Sequence, residues 1–150
     1  MSTTTRTEAA ETRKGRILAD LAYFTRRPWA TANLMLGRSL PADFRERVML
    51  AVTQVNQCAF CSRHHTKAAL KAGVPKSEIA AILEAEMKGV PEEQQVAVLF
   101  AQHWADTQGA VDADARERLE QHYGPATRSD ILLAIHFINA MNAIMKKVER

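Results

Sequence analysis

The sequence predicts an all-α domain of about seven or eight helices. Three observations predict it. Apolar residues recur at helical spacing, Ala and Leu run throughout while aromatics are only 6 % of the chain, and glycines at 73, 89, 109 and 124 punctuate the periodic segments. No segment alternates apolar and polar residues as a half-buried strand would.

Residues 1–11 carry threonines and almost no apolar content, so they are read as a flexible tail preceding a domain over 12–150. In 12–26, Ile17, Leu18, Leu21 and Phe24 fall at helical spacing with Arg and Asp opposite, and Pro28 ends that helix or starts a short second one over 28–36. Pro41 suits a first helical position. The run to Val55 places Val48, Val52 and Val55 on one face, and this third helix carries Glu46. Asn56 and Gln57 interrupt the pattern as cap residues, after which 58–72 forms a fourth helix closed by Gly73. Further helices are predicted from Val74-Pro75 through Met87, over 91–107, over 112–123 and, the longest, over 127–148. Trp29, Trp104 and Phe137 read as core.

The totals narrow the function. A chain of 150 residues is the size of one domain and, at that length, buries roughly 68–70 % of its unfolded surface. Apolar residues are 47 % and charged residues 25 %, ordinary globular values. The net charge of +3 is scattered, with no basic stripe interleaved with aromatics, so no nucleic-acid role is expected. The most apolar stretch, 131–145, is broken by His136, Asn139 and Asn142 and falls short of the roughly 18 residues of a membrane span. It reads as a buried helix, and its surplus of apolar positions predicts an oligomer. Two cysteines make no disulfide framework, and residues 1–11 lack a signal-peptide core, so a cytoplasmic protein is expected.

The chemistry lies at the start of the fourth helix. On an ideal helix Cys61 lies about 60° and His65 about 20° around the axis from Cys58, while His64 lies about 120° away, so the face selects His65. The Cα atoms of Cys58 and Cys61 should be roughly 5 Å apart, within the disulfide window of about 4.4–6.8 Å. As a staple such a bond contributes only roughly 2 kcal/mol, because the loop it closes is so short. A redox use explains the pair better.

The unpaired N–H groups of a first helical turn favour thiolate, and an imidazole can take the proton. A thiol brought from about 8.5 to about 6.5 has roughly 25-fold more thiolate at neutral pH but loses roughly 10-fold in nucleophilicity. The net gain is a few-fold. His65 therefore matters more for delivering a proton to the departing oxygen than for making thiolate.

Other readings stay open on these residues alone. The cysteines could be inert core, or could hold zinc with His65, although structural zinc takes four ligands and there is no second C-x-x-C. A c-type haem needs His directly after the second cysteine, where Ser62 stands. Taken alone, Glu46 reads as a solvated charge flanked by Arg45 and Arg47. His103, His122 and His136 read as structural, hydrogen-bonded histidines, and Asn139 and Asn142 as lining a cavity or a subunit contact. No cofactor or metal is expected.

Glu46 followed by Cys58-Ala-Phe-Cys61 and His65, the pattern E-x11-C-x-x-C-x-x-x-H within RERVMLAVTQVNQCAFCSRHHTKAALKAGVPKSEIAAI, resembles the AhpD-like family, also called the carboxymuconolactone decarboxylase family. The resemblance implies an all-helical fold assembled as trimers or hexamers. It implies hydroperoxide reduction, with Cys61 attacking the peroxide to become sulfenic acid, Cys58 resolving it to a disulfide, and His65 and Glu46 forming a proton relay. It further implies an external reductant of the thiol or lipoyl type. The best-studied branch has a histidine just before the second cysteine, where this chain has Phe60. The family's other branch processes a lactone or decarboxylates without a cysteine pair. A non-redox binding or metal-holding oligomer is the further alternative.

Overall fold

The computed structural model describes residues 2–149, with side chains from Thr12 onward. Among the described residues there are eight helices and no strand: α1 Ser2–Thr25, α2 Pro28–Met35, α3 Ala42–Asn56, α4 Ala59–Lys71, α5 Lys76–Leu83, α6 Glu92–Asp106, α7 Ala113–His122 and α8 Pro125–Val148. The helix order matches the periodicity of the sequence.

α3 is the axis of the fold, with α4, α5, α6 and α8 packed around it and α1 laid along α8. Phe44 and Val48 to Val52 are buried, so the helix is enclosed on every side rather than on one valine face. Its polar residues must therefore find partners. Arg47, 5 % exposed, forks onto both carboxylate oxygens of Glu78 in α5, itself 4 % exposed, and also donates to Asp43 and Gln94. Burial alone would raise the Asp43 carboxyl, but its bonds with Arg47 and Gln94 outweigh that and hold it below the usual value. Its contribution to stability is thus present above the unfolded carboxyl pKa and is lost as pH falls through the lowered folded one.

Two expectations for the first helices are corrected. The onset expected at Thr12 falls inside α1, whose backbone is helical from Ser2; the side chains of 2–11, where the tail was expected, lie outside the described residues. The inward face of α1 is also rotated from the one expected. Leu18 is 66 % exposed, and Asp20, assigned to the polar side, is fully buried. Asp20 tolerates burial because both its oxygens are bonded, one to His136 Nδ1 at 2.7 Å and the other accepting from Asn139 Nδ2 at 2.7 Å.

Trp29 is not core: it is 83 % exposed, whereas Trp104 is buried and Phe137 packs against the core. α2 has only two turns and anchors through Leu34, fully buried. Five positions away, about 140° around the axis, Trp29 must face outward.

α5 stops at Leu83, short of the expected Met87. Ala85 turns left-handed at φ 62°, the Glu86 N–H returns to Ala81 O at 2.8 Å, and the Ala85 N–H to Ile82 O at 3.0 Å. This is a Schellman closure with alanine where glycine is usual. α8 carries the stretch over 131–145 inside a longer helix that meets the length and composition of a membrane span, contrary to the shorter estimate. Ile131, Leu133, Ala134, Ile135 and Ile138 are nonetheless buried within the fold, against helices that include α1 and α3.

Candidate active site

Gln57 ends α3 in the left-handed region at φ 56°, turning the chain sharply so that Cys58 becomes the N-cap of α4. Cys58 is extended (φ −92°, ψ 104°), and its Sγ accepts from the Cys61 N–H at 3.3 Å. Cys58 is thus outside the helix proper, and the angular projection expected from it applies only from Cys61 onward. Cys61 and His65 are one turn apart, about 40° around the axis, on one face of α4.

Cys58 and Cys61 are disulfide-bonded, with Cα atoms 5.3 Å apart as the spacing predicted, and are only 1 % and 3 % exposed. The Sγ of Cys58 is the sulfur on the unpaired N–H of the helix start, where negative charge is favoured.

His65 Nδ1 lies 2.6 Å from Glu46 Oε2. An ionised carboxylate only accepts, so Nδ1 carries the proton and Nε2 is the free ring nitrogen. Glu46 is 3 % exposed and not the solvated charge it seemed in isolation. Its other oxygen, Oε1, accepts from Arg45 Nε at 3.1 Å. Arg45 is itself held by donating through Nη1 to the carbonyls of Leu34 and Met35 at the end of α2, at 2.9 and 2.7 Å. Arg47, the other flanking cation, turns away to Glu78. His64 is exposed, stacks with Phe60 at 6.3 Å between ring centroids and meets the His65 ring edge-on at 5.0 Å, but makes no hydrogen bond in this chain of bonds.

The structure therefore joins Glu46 to His65 across α3 and α4 and joins the cysteines to each other. Arg45 and Glu149 belong to this surrounding and were missed from sequence. Arg45 was visible only as a neighbouring charge. Glu149, whose carboxylate accepts from the Phe60 N–H at the start of α4, is 89 positions away and left no local signal. His103, His122 and His136 each contact a carboxylate or a carbonyl, as structural histidines do. Asn139 and Asn142 both accept from Asn56 Nδ2, at 2.8 and 3.1 Å.

No curated protein and no solved structure matches the chain significantly. The carboxymuconolactone decarboxylase family model matches residues 22–103, a span that contains Glu46, both cysteines and His65. With more than half of its length matched, the chain belongs to the carboxymuconolactone decarboxylase family.

Proposed function

We propose that the protein is an AhpD-like thiol peroxidase, or a disulfide oxidoreductase using the same pair, that reduces hydroperoxides. The observation that carries this reading is a C-x-x-C disulfide one helical turn from a histidine oriented by a buried carboxylate. His65 takes the Cys61 thiol proton on Nε2, the Cys61 thiolate attacks the peroxide, and the same proton passes from Nε2 to the departing oxygen, so that an alcohol or water leaves and Cys61 becomes sulfenic acid. The Cys58 thiolate displaces the sulfenic oxygen as water, with a second proton, and closes the disulfide. An external dithiol of the lipoyl type then supplies two electrons and two protons to reopen it. Glu46 acts through His65, holding its tautomer, and Arg45 holds Glu46.

The two alternatives fit the site less well. Structural zinc takes four ligands, and among the described residues no further His, Cys, Asp or Glu is placed to complete a set with Cys58, Cys61 and His65. A lactone-processing site has no use for the cysteines.

The test is stoichiometric. The reduced protein should consume one equivalent of hydrogen peroxide or cumene hydroperoxide while losing two thiols, and dihydrolipoamide should restore both. Alkylating the thiols should stop consumption. Peroxide loss that persists after alkylation, or thiols unchanged by peroxide, would exclude the reading.

We propose further that the protein acts in the cytoplasm as a homo-oligomer, a trimer or hexamer, without binding nucleic acid. Trp29 in the first turn of α2 and Leu36 at its C-cap are 83 % and 65 % exposed, so apolar side chains are left uncovered at both ends of this short helix. Sedimentation should give a mass above one chain, reduced in Trp29→Glu; a monomer at micromolar concentration rules the assembly out.

A further inference from the structure

A cavity of about 320 Å³ opens between α1, α3, α6 and α8. It is the size of a small-molecule site, whose usual range starts at about 300 Å³. Four cations line it, Arg13 and Arg16 from α1 and Lys146 and Lys147 from α8, against a single carboxylate, Asp106. Among the described residues none of the four cations is ion-paired.

The donors are largely unspent. The Arg16 guanidinium lies 5.7 Å over the Trp104 ring, which orients it without using its N–H groups. Lys146 Nζ spends one donor on Asn56 O, at 2.8 Å, and keeps two. Asn139 donates once, to buried Asp20, and keeps one N–H. Asn56 and Asn139 are locked to each other by the 2.8 Å bond, so this wall is preorganised. Ile17, Val55 and Ala143 give the cavity an apolar side.

We propose that this cavity binds a small organic anion, its oxyanion head held by Arg16, Lys146 and Lys147 and its short carbon skeleton on Val55 and Ile17. Arginine forks match carboxylate and phosphate alike, and a bare inorganic ion would leave the apolar side unused. Asn56 is two residues from Cys58, at most about 7 Å along the chain, so the site adjoins the disulfide without including it. The proposal stands independently of peroxidase activity.

The oxidised protein is titrated with hexanoate, hexyl phosphate, inorganic phosphate and neutral hexanamide at constant ionic strength, because chloride screens these charges. Binding is followed by the side-chain amide NMR shifts of Asn56 and Asn139. Saturable shifts with hexanoate or hexyl phosphate, and weaker ones with inorganic phosphate, are expected. Whichever organic probe binds tighter names the head group. Arg16→Gln should weaken that binding about 10- to 100-fold. Lys147→Gln, on an exposed side chain without bonds, guards against misfolding and should weaken binding in the same direction. Equal shifts with hexanamide, no saturation, inorganic phosphate binding as tightly as the organic anions, or unchanged affinity in Lys147→Gln would each overturn the proposal.

Discussion

Cys61→Ser is expected to lose peroxide consumption entirely, whereas Cys58→Ser should consume a single equivalent and then stall as a sulfenic acid. A serine hydroxyl is not ionised at neutral pH and is no substitute for a thiolate. Removing Cys58 leaves the first chemical step intact but removes the resolving thiol, so the oxidised state should be trapped by dimedone and seen by mass spectrometry. The Cys58 Sγ position on the Cys61 N–H suits a thiolate that must attack, or depart, at the helix start. If Cys61→Ser instead consumes one equivalent and Cys58→Ser none, the roles are reversed and the helix terminus activates the nucleophile directly.

His65→Asn is expected to lower peroxide turnover by about 10²- to 10⁴-fold, the usual contribution of a positioned acid or base. Alkylation of the reduced protein by iodoacetamide, which needs thiolate but no proton donor, should change only a few-fold. That split separates proton delivery from thiol activation. An equal loss in both reactions would mean that His65 acts by making thiolate, or that the site has collapsed. Glu46→Gln keeps the shape of the side chain but removes the charge that fixes the Nδ1 proton. It should cost about 10- to 100-fold in peroxide turnover and alter the pH profile, again sparing alkylation. A structural role alone would leave the pH profile unchanged.

Much of the site was legible because it is local. A C-x-x-C at a helix start and a histidine one turn beyond the second cysteine can be read from spacing. With Cys58 at the N-cap, however, the projection that favoured His65 over His64 does not hold, and what distinguishes His65 is its bond to Glu46. Glu46 was legible only through the twelve-residue spacing shared with a family. Read by itself it was a charge between two arginines. Its burial follows from α3 being enclosed by four helices, and its pairing with Arg45 rather than Arg47 follows from where α2 and α5 lie, which no period in α3 encodes.

The misread positions share that cause. Trp29 was assigned to the core because large apolar residues usually are, yet a two-turn helix anchored by Leu34 has no second inward place for it. Asp20 was assigned outward because lone carboxylates are; His136 and Asn139, over a hundred positions away, make its burial affordable. The helix expected over 74–87 is ended early by a left-handed turn at Ala85, where no glycine marks it in the sequence.

The sequence by itself determined the all-helical class, the order of the helices and the placing of a C-x-x-C pair at the start of α4, since these depend on periodicity, caps and spacing within one segment. Tertiary structure alone decided that Glu46 is buried and bonded to His65, that Arg45 ties it to the end of α2, and that four cations from α1 and α8 line one cavity with Asn56. Those outcomes depend on which helices come to lie side by side. Pairing across such distances is governed by the packing of whole faces and by the cost of leaving a buried polar group unbonded.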